Sequence, residues 1–398
     1  MDREKTIEDE CFWLAATAPA RAQPCVLPRP GRRLNLVFPF LSPRLVYAGT
    51  DTVLRVFKGL LDKVEFGRII VTWEGISAFD QAAWPEWQVG TEEFHPRSIA
   101  FLRDQKAALP VSDKDYFMLT TWESATYVQS LLHNLVAHED GTSRRYLYFI
   151  QDYEPGFYAM SAEKWFSETA YRDMKHIIAL FNTSSLADYF KSLGMRFSKE
   201  YVHQPMLHPV LRQEKCTLRD TVKEKLILVY SRPEFLRNAF PLAIGVLREW
   251  VRTFPSAGDW RIVSAGESHQ DIELGEGLVM KSLGKLSLSE YAQLMSRSWV
   301  GVSFMFTPHP GQVAQEMAEF GMWVITNSSG IRDAQRWAPN VIGLSDFRVA
   351  TVAEALRSCC SKFKARSISA VDGPMELFRG GGAEFEFLDD LATHWFAN

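Results

Sequence analysis

Short, almost continuously apolar runs alternate with segments of helical periodicity along most of this chain, and this alternation limits the fold more than any other feature. In the first half the runs are LNLVFPF (34–40), GRIIVTW (67–73), DYFMLTTW (115–122), RRYLYFIQD (144–152) and HIIALFN (176–182). Segments such as TDTVLRVFKGLLDKV and SATYVQSLLHNLVAH repeat apolar residues at helical spacing. Strands that are apolar throughout are buried on both faces, as in parallel sheets covered by helices. The first half is therefore predicted to be a doubly wound α/β domain.

A second series of the same kind follows the polar stretch LRQEKCTLRDTVKEK (211–225), which interrupts the apolar rhythm. It begins with the strand KLILVYS and ends with the strand MWVIT, and a chain of 398 residues is long enough for two cores. We predict two Rossmann-like doubly wound parallel-sheet domains, 34–215 and 216–375, that face a central cleft. Residues 1–33 are predicted to be an N-terminal tail, and 376–398 a C-terminal helix that is a candidate to pack back on the N-terminal domain.

Charge, cysteine usage and the motifs present argue against several classes of protein. The formal charge is −4, so a nucleic-acid partner is not expected. The five cysteines fit neither a disulfide framework nor a zinc site, and the nine histidines show no metal-ligand spacing. No run approaches the roughly 18 to 20 apolar residues of a membrane span, and the start does not resemble a secretory signal. We therefore expect a cytoplasmic protein without a metal site. The absence of GxSxG, P-loop and GxGxxG motifs argues against serine hydrolases, P-loop NTPases and ordinary dehydrogenases.

The most informative segment is FMFTPHPGQVAQEMAEFGMWVIT (304–326), in which strand, loop, helix and strand follow closely. The helix is predicted to start beside Gly311, where backbone N–H groups and the helix dipole favour a phosphate. Glu316 and Glu319 are three positions apart, so one of them at most points into a ligand site, and we favour Glu316 as a hydroxyl acceptor. His309 either contacts the transferred group or closes the turn.

A second segment, YSRPEFLRNAF (230–240), presents Arg232 and Arg237 at the end of a strand. Two guanidiniums at such a position are suited to gripping a diphosphate, because each forks onto paired oxygens and stays charged. They are equally compatible with ordinary surface arginines. Asn238 is a candidate cap for the helix that follows.

Candidate ligand residues also follow two strands of the first domain. In VYAGTDTV (46–53), Gly49 and Thr50 are expected in a turn of small residues that lets a substrate approach backbone amides. In IQDYEPGFY (150–158), a buried strand runs directly into Gln151, Asp152 and Glu154. These polar side chains are candidate hydroxyl ligands for a sugar or an acceptor, and loop capping is the alternative interpretation.

Taken together, these segments resemble glycosyltransferases of the two-Rossmann GT-B architecture, and among them the WsaF-like rhamnosyltransferases of bacterial surface-polysaccharide assembly. The resemblance rests on LNLVFPF with AGT, YFIQDYEPGFY, VYSRPEFLRNAF and TPHPGQVAQEMAEFGMWVITN. It implies that Arg232 and Arg237 bind the diphosphate of a nucleotide sugar and that Glu316 binds its ribose. Related enzymes carry another glutamate eight positions before this one, where this chain has Pro308. The WsaF-like group shares that departure, and the resemblance to this group implies dTDP-L-rhamnose as the donor.

The resemblance also implies a mechanism, which is retaining transfer to a glycan hydroxyl without a metal ion or other cofactor. Arg232 and Arg237 would then stabilise the departing diphosphate, with His309 and Gly311 also at the donor site. Asp152 is the candidate for orienting or deprotonating the acceptor. The wider superfamily often has a histidine after the fourth strand, where this chain has Gln151 and Asp152.

Three alternatives stay open at this point. They are a transferase that uses a UDP- or GDP-hexose, a non-catalytic glycan-binding assembly subunit, and a nucleotide-sugar epimerase. The expected partners are a nucleotide sugar and a glycan or lipid-linked glycan acceptor. A homodimer and a peripheral contact with the inner face of the membrane are left open, the latter through helices near Trp122 or Trp165.

Overall fold

The computed structural model describes residues 24–26, 30–42, 48–90, 95–102, 109–136, 144–328, 330, 332–365 and 385–396. The chain divides into two compact units. Unit 1 comprises Met1–His203 and Phe385–Asn398, and unit 2 comprises Gln204–Glu384. Most of the predicted N-terminal tail and the start of the predicted C-terminal segment lie outside the described residues.

The strands in chain order are β1 Pro24–Val26, β2 Arg33–Phe38, β3 Phe66–Val71, β4 Gln88–Val89, β5 Arg97–Phe101, β6 Leu109–Val111, β7 Asp115–Leu119, β8 Tyr146–Ile150, β9 Ile177–Phe181, β10 Lys199–Val202, β11 Glu224–Ser231, β12 Arg261–Gly266, β13 Ile272–Gly275, β14 Leu278–Ser282, β15 Ser298–Val302, β16 Trp323–Asn327 and β17 Val341–Leu344. The α-helices are α1 Ala48–Leu61, α2 Trp122–Val136, α3 Ala162–Thr169, α4 Ser184–Ser192, α5 Pro209–Thr217, α6 Phe240–Thr253, α7 Leu288–Arg297, α8 Gln312–Glu319, α9 Val349–Ser361 and α10 Leu388–Phe396.

Unit 1 is built on an eight-stranded sheet within the described residues, in the order β10-β9-β8-β7-β2-β3-β5-β4. Every neighbouring pair in it is parallel. Strands β7, β8 and β9 are buried almost throughout, which is why their sequences lack the alternation of a half-exposed strand. Strand order reverses between β7 and β2, and open parallel sheets bind ligands at such a switch point, at the carboxyl ends of the strands.

A buried polar network lies at the amino ends of the central strands of this sheet. Arg33 Nε donates to Asp115 Oδ1 at 2.5 Å, and Asn35 Nδ2 donates to the same oxygen at 2.9 Å. Arg68 Nε donates to Asn35 Oδ1 at 2.7 Å. Burial alone would raise the pKa of Asp115, but the hydrogen bond from Arg33 and the charge of Arg68 outweigh it and lower that pKa. The network joins β2, β3 and β7, so it holds the central strands in register.

Unit 2 contains a seven-stranded sheet among its described residues, in the order β13-β14-β12-β11-β15-β16-β17. All neighbours are parallel except β13 with β14. Chain order reverses between β11 and β15, which is the topological switch point of a Rossmann-like sheet. The predicted fold class, two doubly wound parallel-sheet domains, is confirmed.

The units differ from the predicted domain limits at both ends. The division falls between His203 and Gln204 rather than at 215/216, because α5 packs on unit 2. Leu211 of α5 is fully buried in the core of unit 2, and Ser289 Oγ at the start of α7 donates to Glu214 at 2.5 Å. Part of the predicted tail is also ordered, since β1 pairs with β6 in parallel.

The last helix packs on unit 1. Leu391 and Trp395 of α10 lie in the same core cluster as β2 and α1. Tyr201 of β10 donates its hydroxyl hydrogen to Asp390 Oδ2 at 2.7 Å. The chain therefore returns to unit 1 after completing unit 2, as the sequence analysis left open.

Candidate functional site

Two loops meet at the switch point of unit 2. One follows β11 and carries Arg232 and Arg237, and the other follows β15 and carries His309 before α8. Phe306 N–H donates to the carbonyl oxygen of Arg237 at 2.7 Å. Because β11 and β15 are adjacent and parallel, both loops emerge from the same edge of the sheet. The structure thus brings together the two segments that the sequence singled out.

The two arginines share an aromatic contact. The guanidinium carbon of Arg232 lies 3.7 Å from the ring centroid of Phe235, and that of Arg237 lies 4.8 Å from the same centroid. Arg232 Nε also donates to Glu267 Oε1 at 2.9 Å. A guanidinium presents a planar fork of N–H donors, which matches paired oxygens. The pair is therefore suited to an anion with several oxygens, as a diphosphate has.

Close packing of two backbones places Glu267 beside Arg232. Gly266 has φ +139°, and a Cβ at this position would lie 2.1 Å from the carbonyl oxygen of Ser231. Glu267 N–H then donates to that same oxygen at 2.7 Å. A residue with a side chain at Gly266 would push the strand ends apart. This glycine therefore determines how near the carboxylate approaches the guanidinium.

Asn238 joins the two loops and does not cap the helix that follows it. Its Nδ2 donates to the carbonyl oxygen of Phe304 at 3.1 Å. The N-cap of α6 is Ala239, in a left-handed conformation with φ 43° and without a side-chain cap. The interpretation of Asn238 as a cap is wrong, because the chain needs one further residue to turn into α6.

The loop after β15 is braced from behind by buried side chains. Asn327 forms a pair of hydrogen bonds with the backbone of Met305, accepting from its N–H at 2.7 Å and donating to its carbonyl oxygen at 2.8 Å. The buried guanidinium of Arg332 donates to the carbonyl oxygens of Met305 and Pro310, the latter at 2.6 Å. These bonds fix the loop that leads into α8.

His309 closes the turn before α8. Its Nδ1 accepts the N–H of Gly311 at 3.0 Å, which leaves the ring proton on Nε2. Burial lowers the pKa of His309 to about 3, helped by the charges of Arg332 and Arg237. The ring is therefore neutral at physiological pH. Gly311 has φ +79°, which favours glycine, and no side chain caps α8 among the described residues. The turn leaves the helix start open to an anion.

The two glutamates of α8 have different surroundings. Glu319 forms an ion pair with Lys215 of α5 and therefore serves packing between helices. Glu316 is partly buried, and burial raises its pKa to about 7. Burial raises the pKa of Tyr291, and the charge of Glu316 adds to this; the Tyr291 hydroxyl has no hydrogen-bond partner among the described residues. Among the described residues Glu316 forms no ion pair, so it is the glutamate of α8 that stays a candidate ligand residue.

In unit 1 the structure brings Gly49 and Gln151 into contact. A Cβ at Gly49 would lie 2.5 Å from Gln151 Oε1, so the start of α1 lies against the loop after β8. Gly49 and Thr50 belong to the first turn of α1 rather than to the predicted turn before it. The helix simply begins earlier, which still leaves small residues at its amino end. The residues 43–47 that precede it lie outside the described residues.

The three polar residues after β8 separate into two groups. Gln151 and Asp152 are partly exposed at the strand end, and Asp152 Oδ1 accepts the N–H of Tyr153 at 2.8 Å. Glu154 instead accepts hydrogen bonds from the hydroxyls of Tyr148 at 2.7 Å and Tyr171 at 3.3 Å. Its carboxylate is committed to the packing of unit 1, which argues against a ligand role.

Glu154 is partly buried, and its carboxyl lies near the buried carboxyl of Glu123. Burial raises its pKa well above the ordinary range, and the charge of Glu123 adds to this. Burial likewise raises the pKa of Glu123, which is 8% exposed at the start of α2. Two such carboxyls do not both ionise readily, so protonation of one of them stabilises the folded state.

Sequence reasoning missed three residues that shape this site, Phe235, Glu267 and Arg332. Glu267 directly follows the strand DWRIVSAG, so an acidic residue at the end of a strand was a usable signal. Arg332 had no such signal, because it lies beyond β16 and reaches the loop after β15 only through the tertiary fold. Phe235 stood inside the quoted arginine segment, and nothing in its spacing indicated a contact with both cations.

The described residues also bear on metal binding and on contact with a membrane. Within the described part of the chain, no group of three or more His, Cys, Asp or Glu side chains is arranged to hold a metal ion. No described helix combines the length and apolar character needed to span a bilayer. Trp122 is 2% exposed and donates its indole N–H to the hydroxyl of Tyr158 at 2.9 Å, whereas Trp165 is 60% exposed. Trp122 therefore cannot form a membrane contact in this fold.

Comparison with known proteins identifies the family. The model of the N-terminal domain of WsaF matches residues 33–184, and that of the C-terminal domain of WsaF matches 225–357. The two matches together cover most of the chain, and the N-terminal domain precedes the C-terminal domain along it. The chain belongs to the WsaF family. The resemblance that the motifs indicated is confirmed.

A curated relative matches part of this WsaF-family chain. The chain is 29% identical over 234 residues to the O-antigen biosynthesis protein RfbC of Myxococcus xanthus, which is 58% of this chain and 16% of that protein. The chain therefore spans only about a sixth of the length of this curated relative.

Solved structures show the same architecture at low identity. Sucrose-phosphate synthase from Thermosynechococcus elongatus superposes with a TM-score of 0.56 at 13% identity, over 92% of this chain and 96% of that one. WaaG, a glycosyltransferase involved in lipopolysaccharide biosynthesis, superposes with a TM-score of 0.54 at 12% identity, over 92% and 100%. The WsaF-family chain thus has the GT-B fold.

Proposed function

We propose that this WsaF-family chain is a glycosyltransferase of surface-polysaccharide assembly that moves L-rhamnose from dTDP-L-rhamnose to a hydroxyl of a glycan acceptor. The observation that carries the proposal is the pair of guanidiniums, Arg232 and Arg237, gathered over one ring at the switch point of unit 2. Family membership, the GT-B fold and the similarity to RfbC, an O-antigen biosynthesis protein, support it. The rhamnosyl donor follows from the resemblance to WsaF-like enzymes.

The donor would bind at the carboxyl edge of the unit 2 sheet. Arg232 and Arg237 would bind the diphosphate, and the open start of α8 after Gly311 would add partial positive charge. Glu316 would accept hydrogen bonds from the ribose hydroxyl. His309 is held in one orientation by Gly311 N–H, so its ring would line the site as a neutral donor through Nε2. These residues supply charge and direction to a nucleotide diphosphate.

In the reaction, the bond between the anomeric carbon and the diphosphate oxygen breaks, and a bond from that carbon to the acceptor oxygen forms. The electron pair of the broken bond leaves with dTDP. The two guanidiniums would stabilise the negative charge that develops there, in the way that preorganised donors stabilise a transition state. This is the physical reason to propose transfer that needs neither a metal ion nor another cofactor.

The acceptor would bind at the carboxyl edge of unit 1. Gly49 and Thr50 open α1, and Gln151 lies against Gly49. Asp152 would orient the acceptor hydroxyl, whose proton moves to this carboxylate or to the departing diphosphate. Glu154 is left out of this set because two tyrosine hydroxyls occupy it. A glycan carried on a lipid presents the same hydroxyl chemistry.

The test is a donor panel with a matched pair of variants. Purified protein is incubated with dTDP-L-rhamnose, UDP-glucose or GDP-mannose and a glycan acceptor, and free nucleotide diphosphate and product are measured. Arg232→Ala should lower kcat/KM by about 100-fold or more. Arg252→Ala removes an exposed arginine of α6 that pairs with Glu249 and should leave the rate unchanged. Equal rates for both variants would place the site elsewhere.

Other outcomes of the panel separate the alternatives. Turnover of UDP- or GDP-hexose alone would replace the rhamnosyl donor. Formation of an epimeric nucleotide sugar without any acceptor would indicate an epimerase, and binding without release a non-catalytic subunit. The anomeric configuration of the product, read by NMR, tests retention, and assay in excess EDTA tests independence from metal.

A further inference from the structure

We propose that Tyr291 is a positioning residue for Glu316: its buried hydroxyl donates to one oxygen of that carboxylate and leaves the other oxygen for a single sugar hydroxyl of the bound nucleotide. The inference rests on the proposed function for the identity of the donor. It names the feature that selects a 2′-deoxynucleotide at that site. Its basis is the arrangement of α7, α8 and β11 at one end of the unit 2 sheet.

The helices α7 and α8 cover one face of the unit 2 sheet. Their apolar side chains, among them Met295 and Met317, share a core cluster with Leu228 of β11. Side chains two positions apart along a strand point to the same face, so Tyr230 lies on the side of Leu228. Tyr230 and Tyr291 both pack against this cluster. Both phenols are therefore on the face that α8 covers.

Tyr291, Glu316 and Tyr230 also lie at the same end of the sheet. Tyr291 is the fourth residue of α7, Glu316 the fifth of α8, and Tyr230 the last but one of β11. Because α7 follows β14 and α8 follows β15, both helices begin at the carboxyl edge of the parallel strands. Burial raises the pKa of Tyr291, and the charges of Glu316 and Tyr230 add to this. Tyr291 is therefore a neighbour of both groups.

The hydroxyl of Tyr291 is enclosed and forms no hydrogen bond with the part of the chain that the structure describes. A buried hydroxyl without a partner costs stability, because it has lost its hydrogen bonds to water. Glu316 is partly buried beside it and carries a carboxylate that accepts hydrogen bonds. Hydrogen bonds at active sites commonly tighten only when the substrate is bound. We therefore assign the bond from Tyr291 to Glu316 to the complex with the nucleotide.

The number of hydroxyls on the nucleotide sugar decides how the carboxylate is used. Ribose has adjacent 2′- and 3′-hydroxyls, which together can fill both oxygens of a carboxylate. The deoxyribose of dTDP lacks the 2′-hydroxyl, so one oxygen of Glu316 would lack a donor in a partly buried place. Tyr291 provides that donor. A ribonucleotide would then bring a 2′-hydroxyl whose place the phenol already fills, and an unpaired hydroxyl costs affinity.

The test compares dTDP with ribothymidine diphosphate, which differs from it only by the 2′-hydroxyl, in calorimetric titrations. The wild type should bind dTDP at least as tightly as the ribonucleotide. Tyr291→Phe should weaken binding of dTDP about tenfold, the effect of one lost hydrogen bond to a charged group. It should weaken binding of the ribonucleotide less than about threefold, because the 2′-hydroxyl then takes the place of the phenol. With Glu316→Ala already present, Tyr291→Phe should leave the ratio of the two affinities unchanged.

Tyr127 of α2 provides the matched control. Its hydroxyl is likewise enclosed and without a hydrogen-bond partner within the described ranges, but it belongs to unit 1. Tyr127→Phe should change neither affinity. Each Phe variant removes an unpaired buried hydroxyl, so both should fold and melt at or above the temperature of the wild type. Circular dichroism and thermal melting check this.

The outcomes keep the inference distinct from the proposed function. An equal loss of affinity for both nucleotides in Tyr291→Phe, or no loss for either, overturns the role of Tyr291. Tighter binding of the ribonucleotide than of dTDP by the wild type also overturns it, and this measurement needs no variant. If the selectivity shifts as expected but no sugar is transferred, the proposed function fails and the role of Tyr291 stands. Absence of binding of both nucleotides to the wild type overturns both.

Discussion

Replacement of Glu316 by glutamine is expected to stabilise the protein at alkaline pH and to weaken nucleotide binding. The side chain is partly buried on α8 and has no ion-pair partner among the described residues. Burial raises its pKa from 4.5 to about 7. Between these values the folded state binds more protons than the unfolded state, so the wild type loses stability as the pH rises through this window.

The magnitude follows from the same shift. At about 1.4 kcal/mol per pKa unit, ionisation of Glu316 costs the folded state about 3 kcal/mol above pH 7. This is an upper limit, because the carboxylate keeps some contact with water. Glutamine has nearly the same shape and no charge to bury. Glu316→Gln should therefore be more stable than the wild type by about 1 to 3 kcal/mol near pH 8, and nearly equal near pH 5.

The measurement is urea unfolding of wild type and variant at several pH values between about 5 and 8, followed by tryptophan fluorescence. Calorimetry with dTDP accompanies it, and loss of the charged acceptor should weaken binding by about tenfold or more. Stabilisation together with weaker binding is the pattern of a residue retained for its ligand rather than for the fold.

Glu319→Gln on the same helix is the control. Glu319 forms an ion pair with Lys215, so its loss should destabilise the protein by up to about 1 kcal/mol at both pH values. If Glu316→Gln is no more stable than the wild type near pH 8, or is stabilised equally near pH 5, the reasoning from burial is refuted.

Three further predictions concern other parts of the site. Gly49→Ala should displace Gln151, since the new Cβ would lie 2.5 Å from Gln151 Oε1. The KM for the acceptor should then rise, with the affinity for the donor unchanged. Gly258→Ala is the control, because a Cβ there meets open space, and its steady-state kinetics should match those of the wild type. Burial raises the pKa of Glu154, so Glu154→Gln should reduce the fall in thermal stability that the wild type shows as pH rises above about 4.5; an unchanged pH slope contradicts this. The pKa of His309 is lowered to about 3, so stability is lost as pH falls below about 6.5, and His309→Gln should flatten that loss in acid denaturation.

Much of the fold could be predicted because the signals are local. The buried strands β2, β3, β7, β8 and β9 coincide with apolar runs of the sequence. The strand β6 and the helices α5 and α9 were not predicted. α5 lies in a polar stretch and is stabilised mainly by burying Leu211 against α7, a contact that no local pattern reveals.

The candidate site was predictable to a similar degree. Arg232 directly follows β11, Arg237 and His309 lie in the loops after β11 and β15, and Glu316 lies early in α8, at the edge where parallel sheets bind ligands. Glu154 stands in an equivalent place and yet turns inward to Tyr148. A strand end specifies an edge of the sheet, but the side-chain direction depends on which hydroxyls the neighbouring elements supply.

The amino-acid sequence alone determined the two-sheet architecture, the family and the loops that carry the charged residues. These depend on periodicity and on short segments, which are properties of neighbours along the chain. Only the tertiary structure decided that one ring serves both arginines, that Glu267 joins Arg232, and that Glu316 rather than Glu319 stays without an ion pair among the described residues. Contacts of this kind join residues from different strands and helices, so they depend on how the elements pack and not on the order of residues within any one of them.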